Sequence, residues 1–140
     1  MMERPLPVPT PETAEFWEAC KRHEFIYRHC RRCDKPYHFP RSICPFCWHS
    51  DVEWRTSSGR GHVYSYAINH RRRAWIEAPY VTALITLAEG FHVLTLLEGV
   101  PPDPAQITVG MPVELVYEDI NDEITLYKAR ALPADNAAAQ

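Results

Sequence analysis

Glycine is scarce in this 140-residue chain, five in all, and none is arranged as a phosphate-cradling loop. No serine, histidine and aspartate set offers a nucleophile with its base. No stretch is apolar for the roughly 20 residues that a membrane helix needs. Met1 to Pro11 lacks the apolar core of a secretion signal. These absences argue against a nucleotide-loop enzyme, a covalent hydrolase and a membrane anchor, and a soluble, cytoplasmic protein is expected. An excess of either charge is also missing, for the formal net charge is −3. That sum hides an asymmetry: residues 1–73 hold 13 Lys/Arg against 8 Asp/Glu, whereas residues 74–140 hold 2 against 10. A polyanion-binding protein is usually basic overall. An extended duplex is therefore a poor ligand, while a small phosphorylated ligand or an acidic protein patch suits the local basic surface.

What the chain does have is a pair of knuckles, Cys30-Arg31-Arg32-Cys33 and Cys44-Pro45-Phe46-Cys47. Each C-x2-C pair can place two thiolates on one tight turn, and two such turns close a tetrahedron around zinc. In a reducing compartment this pattern favours metal over disulfides. Four cysteines leave no open position for water or substrate, so the metal is expected to be structural. A single iron suits the same four thiolates, and the second knuckle resembles that of rubredoxin. His29, His38 and His49 are expected not to be ligands. Arg28, Arg31, Arg32, Lys35 and Arg41 flank the site, and the expectation is that they lower the thiol pKa values. The positions after the knuckles, where many such turns carry glycine, hold Asp34 and Trp48. The ribbon spans residues 24–54 and is too small for an apolar core of its own.

Before it, residues 1–23 read as a proline-rich leader and a helix. Thr10 is its N-cap, Pro11 its first position, His23 its approximate end, and Phe16, Trp17 and Cys20 its apolar side. Cys20 reads as a small buried apolar residue. From Gly59 the period changes to two. Tyr64, Tyr66 and Ile68 share one predicted face, and Val81, Ala83, Ile85 and Leu87 another. Val93 to Leu97, Val113 to Tyr117 and Ile124 to Lys128 complete five strands, with the long connection Pro101 to Gly110 before the fourth. The fold class is mainly β with an N-terminal helix: a zinc ribbon followed by a five-stranded OB-type barrel over residues 55–133. Residues 134–140 read as a disordered tail.

Several motifs occur together in order. Phe39-Pro40-Arg41 lies between the knuckles, and Ser58-Gly59-Arg60-Gly61-His62-Val63-Tyr64 follows. Ala78-Pro79-Tyr80-Val81, Gly110-Met111-Pro112-Val113 and Val116-Tyr117-Glu118-Asp119 come later. Together they resemble the acyl-CoA-associated family with a rubredoxin-like zinc ribbon and a C-terminal OB fold, over Glu12 to Leu132. The resemblance implies a non-catalytic subunit that partners a thiolase-like enzyme, or in some members a hydratase, and helps enclose the coenzyme A arm. It also implies Cys30, Cys33, Cys44 and Cys47 as zinc ligands. The run Arg71-Arg72-Arg73 is unusually basic for that family. With Trp75 it is the candidate contact for coenzyme A phosphates or an acidic partner. Two other readings compete. A single-stranded nucleic-acid-binding module would stack bases on Tyr64, Tyr66, Tyr117 and Tyr127, although the acidic barrel half opposes a phosphate backbone. An enzyme in its own right would need a base, and His62, His70 and His92 read as surface or core residues instead.

Overall fold

The computed structural model describes residues 4–133, so the predicted tail lies outside the described residues. The helix starts later than its sequence predicts: Thr13, not Thr10, is the N-cap, and Thr10 opens a turn just before it. The Thr10 carbonyl accepts the N–H groups of Thr13 and Ala14 at 3.0 and 2.8 Å. The Thr10 N–H donates to Thr13 Oγ1 at 2.9 Å, and the Thr13 N–H returns a bond to Thr10 Oγ1 at 3.3 Å. This paired exchange closes the turn that leads into the helix. Pro11 is tolerated beside it because a first-turn N–H has no intrahelical partner to lose. Regular helix α1 runs over Ala14–Lys21. It ends in a Schellman turn: His23 takes a left-handed φ of 60°, its N–H bonds Cys20 O, and the Glu24 N–H bonds Ala19 O.

The ribbon is a three-stranded antiparallel sheet. Strand β1 (Ile26–Cys30) lies between β2 (Lys35–Tyr37) and β3 (Val52–Thr56). The next five strands, β4 (Arg60–Asn69), β5 (Tyr80–Leu87), β6 (His92–Glu98), β7 (Pro112–Asp119) and β8 (Thr125–Ala131), close a barrel in the order β4-β5-β6-β8-β7. β8 runs parallel to β6 and antiparallel to β7, which is the OB arrangement. Alternation along β5 matches its sequence, with Val81, Ala83, Ile85 and Leu87 all buried. β4 corrects its prediction. Val63 pairs with Ile85 but Ser65 pairs with Leu84, so Tyr64 is the extra residue of a bulge. It is 56% exposed instead of sharing a face with Tyr66 and Ile68. No helix among the described residues is long and apolar enough to cross a membrane.

One apolar core joins all three parts. Phe16 and Cys20 of the helix and Phe25, Ile26 and Tyr27 of the ribbon pack with Val63, Val93, Val113 and Ala129 of the barrel. Burial pushes the Cys20 thiol up to about 12, as suits an inert buried side chain. His38 sits among aromatic rings at this junction, 5.2 Å from both Phe16 and Phe25 and 6.2 Å from Tyr127 between centroids. Burial depresses its imidazole to about 4. A base depressed in the fold is neutral there and charges only on unfolding. Its contribution is therefore full above the unfolded value near 6.5 and is lost as pH falls towards 4, by about 3 kcal/mol in all. The expected result is that urea midpoints of the native chain fall more steeply from pH 6.5 to 4 than those of His38→Phe. Parallel slopes would show that His38 does not carry the effect.

Polar clamps fix the same junction. Glu12 Oε2 accepts the Ser42 N–H at 2.8 Å and the Ser42 hydroxyl at 2.5 Å, tying the helix start to the ribbon. At the other end, Glu89 accepts the Ser57 hydroxyl at 2.6 Å and the Ser58 N–H at 2.8 Å, tying the ribbon exit to the β5–β6 turn.

Candidate functional site

The two knuckles converge. Cys30 ends β1, and the turn that follows is closed by the Asp34 N–H on Cys30 O at 2.9 Å. The second turn repeats this geometry, with the Trp48 N–H on Cys44 O at 2.9 Å. Asp34 and Trp48 both take the left-handed φ that such turns require, 59° and 63°. Asp adopts this conformation with little penalty, whereas Trp is held there at a cost of about 1–3 kcal/mol. Backbone N–H groups point at sulfur from Cys33 to Cys30 at 3.5 Å and from Phe46 to Cys44 at 3.4 Å.

The result is four sulfurs all within 4.8 Å of one another, with Cys30–Cys47 and Cys33–Cys44 each at 3.6 Å. Sulfurs on a zinc tetrahedron of about 2.3 Å bonds stand about 3.8 Å apart, so these positions fit the ion. Cys30 and Cys44 are buried and the other two are half-buried. Before metal binds, the N–H groups of Cys33 and Arg32 pull the Cys30 thiol down to about 7. Burial and the neighbouring sulfurs push Cys33 up to about 12.

The cations behave differently from their sequence expectation. The largest effect lowering Cys30 is a backbone N–H, not a guanidinium. Arg31 faces away from the thiolates, bonding Asp51 at 2.8 Å and Glu53 at 3.1 Å. Arg28 lies 3.8 Å from the Trp54 ring centroid, and Lys35 lies 5.0 Å from that of Phe46. Spacing in sequence could not reveal these pairings, because Asp51, Glu53 and Trp54 reach the knuckle only through the β1–β3 register. None of the three histidines joins the sulfurs. His29 is buried, with Nε2 2.8 Å from Asp34 Oδ1, His38 lies in the aromatic junction, and His49 is exposed.

Arg71, Arg72 and Arg73 are exposed on the β4–β5 loop. The loop is pinched by paired backbone bonds between Arg73 and Ile76 at 3.0 and 3.3 Å. Arg72 reaches Glu77 at 3.7 Å. The three arginines, with His70 and half-buried Trp75, line a cavity of about 650 Å³. Trp75 also walls a second cavity of about 370 Å³, floored by Lys128 between Glu98 and Glu118. Lys128 Nζ stands 3.0 Å from Glu98 and 3.2 Å from Glu118. Sequence reasoning missed Arg4, whose guanidinium lies 5.1 Å from the Trp75 ring centroid and 3.4 Å from Glu118. Nothing local to the leader signals this contact.

The tyrosine platform of the nucleic-acid reading is mostly occupied. Tyr117 stacks on His23 at 5.0 Å, and Tyr127 packs edge-on against Phe16 and Phe25 at 5.8 and 5.1 Å. Tyr64 alone of the four is largely exposed. His62, His70 and His92 are all on the surface.

Comparison with known proteins follows the same division. A family model described as the rubredoxin-like zinc ribbon domain of ChsH2 matches residues 17–53, and one described as the C-terminal OB-fold domain of ChsH2 matches residues 54–118. A probable enoyl-CoA hydratase alpha subunit of Thermomonospora curvata is 36% identical over 124 residues, 88% of this chain. The chain spans only 38% of that relative's length. A DUF35 domain-containing scaffold protein of Methanocaldococcus jannaschii is 34% identical over 128 residues, 86% of this chain and 89% of its own. Among solved structures, a chain of the Ltp2-ChsH2(DUF35) aldolase is similar at a TM-score of 0.77 and 34% identity, covering 90% of this chain and 98% of that one. With ribbon and barrel both matched, and a relative covered over nearly its whole length, the chain belongs to the ChsH2/DUF35 family of zinc-ribbon and OB-fold proteins.

Proposed function

We propose that the chain is a non-catalytic scaffold subunit that docks on a thiolase-like enzyme and helps enclose the coenzyme A arm of its acyl-CoA substrate. The observation that carries this reading is the likeness to a chain of the solved Ltp2-ChsH2(DUF35) aldolase, covering 98% of that chain. Physical chemistry supports it from two sides. Four sulfurs filling a tetrahedron leave the metal no open position for a substrate. Three exposed arginines beside a tryptophan offer what a phosphate-bearing, partly apolar arm needs: forked donors for phosphate oxygens and a flat apolar wall.

The enzyme subunit that co-purifies with the chain from its native cell provides the test. Replacing Arg71, Arg72 and Arg73 together with Ala is expected to weaken the complex, or acyl-CoA binding at it, by about tenfold or more, which is about 1.4 kcal/mol. Because all three side chains are exposed, stability should stay within about 0.5 kcal/mol of native. Unchanged complex formation and unchanged acyl-CoA turnover would remove the loop from the site. Turnover by the purified chain alone would instead make it an enzyme.

A further inference from the structure

Three non-glycine residues among those described hold a left-handed φ: His23, Asp34 and Trp48. Side chains are disfavoured there, so each choice asks for a reason. Two reasons lie within the chain. His23 stacks on Tyr117 and bonds Asp119 at 3.0 Å. Asp34 receives the buried His29 at 2.8 Å. Trp48 has no such contact. Its indole is 79% exposed, and it makes no ring stacking or hydrogen bond within the described residues. Glycine would make the same turn without strain, and none of the described residues gives the indole a reason to be there.

Its surroundings say what that surface is like. Ile43 and Phe46, on the same knuckle, are 50% and 54% exposed. Four cysteines hold all three side chains on one rigid turn, so little conformational freedom is lost when they are buried. Arg32, Lys35 and Arg41 are exposed around them. The acids near them are each engaged: Glu12 by Ser42, Asp34 by His29 and Asp51 by Arg31. A tight apolar tip inside a cationic rim complements an apolar pocket with an acidic rim.

We propose that Trp48, with Ile43 and Phe46, anchors the second knuckle in such a pocket on the enzyme subunit, as a contact separate from the Arg71–Trp75 loop. This rests on the reading that an enzyme subunit is the partner. The knuckle is then both a metal turn and a binding tip, and its backbone strain is the cost of placing an indole where glycine would fold more easily.

The experiment titrates the purified enzyme subunit, obtained by co-purification with the native chain, with zinc-loaded native chain, Trp48→Gly and Trp48→Phe. Trp48→Gly should bind about 30-fold more weakly or worse, as a central anchor does. It should also keep one zinc per chain and melt at or above the native temperature, because glycine relieves the turn. Trp48→Phe should recover part of the affinity. Affinity of Trp48→Gly within twofold of native overturns the inference and leaves the scaffold reading standing. A change in self-association alone overturns it by assigning the tip to a second copy of this chain. If no enzyme co-purifies with the native chain, the scaffold reading and this inference fall together.

Discussion

Chelating the metal, or replacing Cys44 with Ser, is expected to unfold the ribbon and carry the rest of the chain most of the way with it. The metal-side cluster has only Cys30, Tyr37 and Cys44 as buried apolar residues, and β2 is three residues long. Neither can hold the ribbon folded by itself. Zinc binding supplies folding free energy there, about 10–16 kcal/mol in small zinc domains. Loss does not stop at the ribbon, because Phe25, Ile26 and Tyr27 belong to the same core as the barrel. Metal analysis should find one zinc per native chain and less than one in Cys44→Ser. Near-ultraviolet circular dichroism should collapse on chelation, in a single transition with the far-ultraviolet signal. A chain that keeps both signals after its metal is gone would show that the sulfur cluster is not what holds the ribbon. The ligands bind as thiolates, so affinity rises with pH. The N–H groups aimed at Cys30 hold that thiol ready near neutrality.

Phe25→Ala is expected to be the most damaging single apolar truncation, at about 3–5 kcal/mol. Phe25 touches Phe16 at 5.2 Å, Phe91 at 6.2 Å and Tyr127 at 5.1 Å, ring to ring, besides His38. Those partners come from the helix, the β5–β6 turn, β8 and the ribbon. A hole at this point therefore has walls on every part of the molecule and cannot close by moving one of them. Phe39→Ala makes the comparison, since Phe39 is 56% exposed and its loss should stay within about 0.5 kcal/mol. Urea unfolding of the two variants reads both values. Equal costs would mean that the aromatic junction does not couple the parts.

The ribbon and the barrel could be read from sequence for different reasons. Cysteine spacing is a local statement about ligand geometry, so Cys30, Cys33, Cys44 and Cys47 identify themselves. Alternation from Val81 to Leu87 likewise carries the pleat of β5 in its own residues. What was illegible depends on residues far apart. The bulge at Tyr64 exists only relative to β5. The pairing of Arg31 with Asp51 and Glu53, which takes it away from the thiolates, exists only once β3 lies against β1. The enclosure of Tyr127 by Phe16 and Phe25 requires the helix to dock, and the helix sequence shows only that it has an apolar side. At the barrel surface the Arg71–Trp75 loop was visible as a charge run, but Arg4 above Trp75 was not.

The closure of the barrel has a kinetic side. β4, β5 and β6 pair with sequence neighbours, as do β7 and β8, and each of those ladders has at least six register pairs. The two joints that turn these pieces into a ring are shorter, with three pairs between β4 and β7 and two between β6 and β8. They also join the most distant segments, such as Leu97 with Ala129. Hairpins form before such joints because the loop entropy of a long closure must be lost before its few bonds repay it. The ring thus has a natural order of assembly, three local ladders first and two seams last. Lys128, reaching from β8 to Glu98 on β6 and Glu118 on β7, sits at the two-pair seam between β6 and β8.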